Sequence, residues 1–218
     1  ITFTTKTIFG VIIVLLSIGT GMIYFFEPSV SSLGESRLLA SFFQSMTALT
    51  TVGFNTVPLG SFSLGVMLIV IFLMYVGASP SGTGGGMKST TLTALLAIMW
   101  NRIRNNKQIT FFGKTIPLER LYVATSVFML YAAVLFLSTF LLAMTEDFPL
   151  DQLLFETTSA IGTVGLSTGI TGSLTAWGKV NLIFVMFVGR LGVLTFGLAI
   201  LARRKEINTS CDEADLAV

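Results

Sequence analysis

Two stretches of this 218-residue chain carry threonine, valine and glycine in the same order: Thr50-Thr51-Val52-Gly53-Phe54 and Gly162-Thr163-Val164-Gly165-Leu166. These residue types offer neither acid–base nor nucleophilic chemistry. What they offer is a row of backbone carbonyls. A narrow path lined with such oxygens replaces the hydration shell of a monovalent cation. Glycine reaches backbone angles closed to other residues, threonine adds a hydroxyl oxygen, and valine packs outward to hold the strand. The expected ligands of a potassium ion are the carbonyls of Thr51, Val52, Gly53, Thr163, Val164 and Gly165. One Thr-Val-Gly reads as an ordinary turn. Two, each between a short helical segment and a long apolar one, favour a cation path.

Four long apolar stretches surround these loops: about 7–26, ended by Glu27-Pro28; 64–100, interrupted at 78–87; 121–144; and 180–202. About 20 apolar residues cross the hydrocarbon core, so the first, third and fourth qualify directly and the second only if both halves count. Segments 35–50 and 151–162 read as short helices that do not cross. Acidic Glu35 and Asp151 suit their N-terminal ends, and Ser32-Leu33-Gly34-Glu35 fits a capping box. The C-terminal end of each short helix points inward and favours a cation beneath it. Irregular backbone at membrane depth is tolerated where it is buried in protein or lines a cavity. The order span, short helix, loop, span occurs twice, and the letters repeat 112 positions apart: Phe43 with Phe155, Ala48 with Ala160, Thr51-Val52-Gly53 with Thr163-Val164-Gly165, Thr56 with Thr168, Val76-Gly77 with Val188-Gly189. Both copies enter and leave identically, so the repeat is parallel. The expected fold is an all-α integral membrane bundle of two helix–pore-loop–helix repeats, with units at 1–110 and 111–205 and a polar cytoplasmic tail at 206–218.

The interruption reads Ala78-Ser79-Pro80-Ser81-Gly82-Thr83-Gly84-Gly85-Gly86-Met87-Lys88. A phosphate loop needs glycine directly before lysine; Met87 intervenes, and no strand precedes. The competing readings are a bland hinge and a mobile gate across the path, and the gate is preferred, with Ser79, Gly82, Thr83, Gly84, Gly85, Gly86 and Lys88 as its residues. Arg190 is the one charge inside the fourth stretch, and arginine at that depth is costly and usually faces the bundle interior. At the repeat offset it matches Ala78, which puts it at the depth of the gate. It either holds the closed gate or is structural, tied to backbone carbonyls. Glu156, opposite Gln44, either influences cation affinity or, as the preferred reading, anchors its helix by hydrogen bonds.

Composition narrows the class. Charged residues are 11% and hydrophobic residues 53%, with a mean hydropathy of +0.85; about a quarter of a soluble domain is charged. The net charge of +2 does not argue for nucleic acid, and the absence of histidine excludes histidine triads and histidine metal sites. Cys211 is alone in the polar tail and reads as a reduced thiol. No acid–base pair or nucleophile marks an enzyme. Arg102, Arg104, Lys107, Lys114, Arg120 and Arg203-Arg204-Lys205 crowd one side, while Glu27, Glu35, Glu146, Asp147 and Asp151 lie on the other. The positive-inside rule makes the joining segment and the C-terminus cytoplasmic. The basic segment 101–119 reads equally as a regulator's docking site or as a topology signal alone. The start at Ile1 reads as a piece cut from a longer polypeptide.

The two loops, the glycine-rich interruption and Arg190 together resemble the Trk/Ktr/HKT superfamily of potassium transporters, over essentially the whole chain, and in particular the third and fourth repeats of the bacterial Ktr membrane subunit. The resemblance implies that Gly53 and Gly165 are two of four filter glycines in a pseudo-fourfold, potassium-channel-like bundle. It implies that the loop around Gly82–Gly86 is an intramembrane gate and Arg190 the family's last-helix arginine. It further implies a homodimer in a bacterial plasma membrane, resting on a cytoplasmic nucleotide-binding regulatory ring, with sodium as a modulator. Repeats one and two are absent, and two loops do not close a fourfold filter: either the missing half is on the same full-length chain, the preferred reading, or two copies assemble. A sodium path and a non-conducting scaffold that keeps the fold are the alternatives.

Overall fold

The computed structural model describes residues 3–33, 36–77, 85–105, 109–111, 114–193, 195 and 197. Ser79, Gly82, Thr83, Gly84 and Cys211 lie outside them. Seven α-helices are present among the described residues: α1 Phe3–Phe26, α2 Arg37–Leu49, α3 Leu64–Val76, α4 Ser89–Ile103, α5 Leu118–Thr145, α6 Leu150–Ile161 and α7 Ala176–Leu191. Helix α1 supplies an apolar run of 22 residues and α5 one of 28. At 1.5 Å per residue these are about 33 and 42 Å long, enough for a hydrocarbon core of about 30 Å. Helices α3, α4 and α7 have 13, 15 and 16 residues and do not reach that length alone. Large apolar side chains stand outward along the long helices, among them Phe9, Phe25, Phe136, Phe140, Phe184 and Phe187. A lipid-facing surface has this character, since hydrocarbon imposes no cost on it.

Three expectations need correction. Helix α2 begins at Arg37 with Ser36 as its N-cap, and no side chain caps it. Ser32 lies in a 3₁₀ turn, Pro28–Leu33, and starts no helix. Glu35, the other residue of the expected capping box, lies outside the described residues. The fourth apolar stretch is not one continuous helix either: α7 ends at Gly192, whose φ of +86° no α-helix accommodates, and residues 193, 195 and 197 are helical again. Finally, the joining segment carries a two-stranded antiparallel hairpin, β1 Thr110–Phe111 with β2 Lys114–Thr115. Asn101 ties it to α4, donating to the Thr110 carbonyl at 2.7 Å.

Helix α1 packs on α2, α3 and α4; α6 packs on α7, α3 and α5. Contact between α3 and α6 joins the two halves. Phe155, Val164 and Leu166 from the second half are buried in the core formed largely by α1, α2 and α3. Tyr75 on α3 meets Tyr131 on α5 edge to face, with ring centroids 4.8 Å apart. Gly189 lets α7 lie directly on α6: a Cβ there would run into the Ile161 carbonyl.

Each long helix ends in a glutamate that holds the start of the helix after the loop. Glu27 accepts from the Ser63 backbone N–H at 2.7 Å and from Ser29 Oγ at 2.6 Å. Glu146 accepts from Thr175 N–H at 3.1 Å and from its hydroxyl. Ser63 and Thr175 are the N-caps of α3 and α7, so both carboxylates sit where orphan helix donors and the positive dipole end favour an anion. Burial raises the Glu27 pKa, but the bonds from Ser29 and Ser63 outweigh it and hold the carboxyl below its ordinary 4.5. A depressed folded-state value contributes stability above the ordinary value that is lost as pH falls through the folded one. Glu27→Gln is therefore expected to lower the thermal midpoint in detergent at neutral pH, by an amount that shrinks as the pH drops below 4.5. A pH-independent difference would contradict this assignment.

Candidate functional site

The two Thr-Val-Gly loops are built by one device. Helix α2 is closed at Thr50, and the chain then turns through Thr51 at φ +56°. Thr51 N–H bonds the Ala48 carbonyl at 3.4 Å and Val52 N–H the Thr47 carbonyl at 3.1 Å. Helix α6 ends identically at Gly162, with Thr163 at φ +51°, Thr163 N–H on Ala160 O at 3.0 Å and Val164 N–H on Ser159 O at 2.9 Å. This pair of bonds is the Schellman closure, which normally puts glycine at the left-handed position. A β-branched threonine there is an outlier, with a cost of about 1–3 kcal/mol, and both loops carry it. Two residues later Gly53 and Gly165 have φ of +82° and +92°, again in the region glycine alone enters freely.

The loops touch each other. A Cβ on Gly53 would collide with the Val164 carbonyl and lie 3.2 Å from the Gly165 Cα. A Cβ on Gly60, in the 3₁₀ turn Leu59–Ser61, would lie 2.6 Å from the Thr168 carbonyl. Val164 and Leu166 are buried, as outward packing requires, whereas Val52 is 52% and Phe54 68% exposed. Among the described residues Val164 is therefore packed and Val52 only half covered.

The described end of the glycine-rich interruption reaches the same place. Gly77, closing α3 at φ +42°, and Gly86, at φ +81°, approach so closely that a Cβ on Gly77 would be 3.1 Å from the Gly86 Cα. Met87 N–H bonds the Tyr75 carbonyl at 3.0 Å, and the Met87 side chain is buried. Gly85 N–H donates to Thr163 Oγ1 at 2.9 Å, and a Cβ on Gly85 would be 2.7 Å from the Gly162 carbonyl. Thr51 Oγ1, at the equivalent place in the first loop, is buried without a partner among the described residues. Lys88 is the half-buried N-cap of α4. Arg190 lies on the last turn of α7 with its side chain exposed, one residue after the Gly189 contact with α6. The structure thus brings together Gly53, Gly85, Gly162, Thr163, Val164 and Gly165.

Sequence reasoning missed how the loops are held from behind. Glu156 anchors the loop more than its own helix. Its Oε1 accepts from Ser167 Oγ, Thr168 N–H and Thr168 Oγ1 at 2.7, 2.8 and 3.0 Å, and its Oε2 from Thr171 Oγ1 at 2.6 Å. Gln44 Oε1 accepts from Thr56 N–H at a longer 3.4 Å among the described residues. The repeat already pairs Gln44 with Glu156 and Thr56 with Thr168, which was the available signal. Glu27 and Glu146 fall off that offset, and only their place directly after a long apolar run marks them. No cluster of three or more acidic, histidine or cysteine residues suited to a metal ion occurs among the described residues.

The chain is 36% identical over 197 residues to the Ktr system potassium uptake protein B of Vibrio alginolyticus, covering 88% of this chain and 43% of that protein. It is 39% identical over 160 residues to the Ktr system potassium uptake protein B of Bacillus subtilis, covering 73% and 36%. The chain thus spans less than half the length of these relatives. The fold matches the crystal structure of the potassium transporter TrkH from Vibrio parahaemolyticus with a TM-score of 0.73 and 20% identity, over 91% of this chain and 43% of that one. Residues 1–209 match the TrkH family, described as cation transport protein, which is a family of membrane transporters and not of enzymes. By that match over nearly its whole length, the chain belongs to the TrkH family of cation transport proteins.

Proposed function

We propose that this chain supplies two of the four loops of a potassium-selective filter, and with them half of a pseudo-fourfold uptake pore. One observation carries the reading: two loops 112 positions apart make the same closure through a left-handed threonine, then meet at their glycines, Gly53 against Val164 and Gly165. In this reading the carbonyls of Thr51, Val52, Gly53, Thr163, Val164 and Gly165 line the path of a dehydrating cation. The flanking residues Thr50, Phe54, Gly162 and Leu166 frame that row. Helices α2 and α6 end at the loops, so the negative ends of their dipoles favour a cation below. The relatives' names specify potassium uptake, and the remaining two loops belong to the rest of the relatives' length.

We assign the interruption at 78–88 as the gate, with Ser79, Gly82, Thr83, Gly84, Gly85, Gly86 and Lys88 as its residues; at its described end Gly86 lies close against Gly77. Gly85 rests on the second loop through Thr163, which supports that assignment. Arg190 stands at the depth where α7 contacts the end of α6, and in this reading it holds the closed gate. Arg190→Ala is expected to raise basal uptake at least severalfold and to blunt its regulation. Unchanged flux with unchanged regulation would remove Arg190 from the gate. The units 1–110 and 111–205 are the pore's third and fourth repeats, and the basic joining segment and C-terminus face the cytoplasm. A homodimer in a bacterial plasma membrane, a nucleotide-binding regulatory ring and modulation by sodium complete the proposal.

The experiment is potassium uptake by the full-length protein in a potassium-auxotrophic host, compared with sodium uptake in the same cells. Selective potassium uptake supports the filter. A preference for sodium, or no transport, would replace it with one of the two alternatives.

A further inference from the structure

The two loops are alike in backbone and unlike in how they are held. Glu156 is 4% exposed and takes four donors from residues 167–171, the stretch that leaves the second loop. Gln44 receives one long bond from the first, and its Nε2 has no partner among the described residues. The exits differ accordingly: Leu166 is buried, while Phe54, Asn55 and Thr56 are exposed. Every partner of Glu156 can donate, and an ionised carboxylate only accepts, so a carboxylate matches this site better than an amide. Its grip extends further, because the Thr168 carbonyl is the atom on which Gly60 of the first loop rests. One side chain therefore fixes the exit of the second loop and seats the return of the first.

We propose that Glu156 is the positioning residue that fixes the second filter loop and so determines discrimination between potassium and sodium. The proposal rests on the filter reading above. A row of carbonyls adapts to a smaller ion by contracting, and contraction requires the strand to move at its exit. Charge-assisted bonds to Thr168 N–H and to three hydroxyls oppose that movement. The first loop lacks such a grip and contributes less to discrimination.

The test is competitive potassium and sodium uptake by the full-length protein carrying Glu156→Gln, Glu156→Ala or Gln44→Ala, with the assembled amount measured for each. Glu156→Gln keeps the length and one acceptor. Loss of a bond to a charged group is worth about a tenfold change, so Glu156→Gln is expected to lower the potassium-to-sodium ratio about tenfold, with normal assembly. Glu156→Ala is expected to lower it further, and Gln44→Ala to lower it by less than about threefold, as for one neutral bond. An unchanged ratio in Glu156→Gln would overturn the proposal. So would an equal fall in uptake of both ions, or loss of assembled protein in both Glu156 variants, since either outcome makes Glu156 a fold-holding residue alone. Absence of potassium uptake by the unsubstituted protein would instead overturn the filter reading.

Discussion

Gly53→Ser is expected to abolish selective potassium uptake, and Gly165→Ser to weaken it less. Both positions have φ in the left-handed region, +82° and +92°, where a side chain costs about 1–2 kcal/mol. They part company in the space around them. At Gly165 the nearest atom to an added Cβ is the Gly53 Cα at 3.9 Å, an ordinary contact. At Gly53 the Cβ collides with the Val164 carbonyl, itself one of the proposed ion ligands. That oxygen belongs to backbone and cannot swing aside like the end of a side chain. Gly53→Ser must therefore displace a carbonyl of the opposite loop as well as strain its own. The ranking is checked by uptake competition for both variants at matched expression. Equal defects would mean that the backbone angle alone, and not the contact between the loops, sets the effect.

Gly189→Ala is the second large effect. The added methyl would meet the Ile161 carbonyl, with Ile161 Cα 3.1 Å away, at the point where α7 lies on the end of α6. Overpacking in well-packed regions costs about 1–3 kcal/mol. Here the obstruction is main chain at a helix terminus, so relief requires α7 to move off α6 as a unit. That movement shifts Arg190 and loosens the closure at Gly162 and Thr163. Gly189→Ala is expected to reduce the amount of assembled protein and to lower its thermal midpoint by several degrees. A variant with normal assembly and stability would show that α7 and α6 do not pack this closely in the full protein.

Much of the frame was legible in the residues, because it rests on strong local signals. The long apolar runs predict α1 and α5, whose starts lie four and three residues earlier than the runs. The repeat predicts that Thr51 and Thr163, and Gly53 and Gly165, share a conformation, since equal sequence in equal context meets equal sterics. What was not legible depends on contacts far apart in the chain. Ser32 and Glu35 have the spacing of a capping box, yet Pro28 initiates a 3₁₀ turn there and the helix starts later, at Arg37. The break at Gly192 hides inside an unbroken apolar run, because hydropathy does not register a positive φ. The grip of Glu156 on Thr168 and the bond from Gly85 to Thr163 join residues 12 and 78 positions apart. The repeat aligns Glu156 with Gln44 and Thr168 with Thr56 without saying that they bond, and nothing in the sequence pairs Gly85 with Thr163.

The central claim is that paired Thr-Val-Gly loops form half of a potassium filter. Its most direct test is uptake of potassium in the presence of excess sodium by cells that depend on the full-length protein. The account predicts potassium accumulation that sodium does not suppress, and loss of that preference in Gly53→Ser. Absence of uptake, or uptake whose ion preference is indifferent to Gly53→Ser, would contradict it.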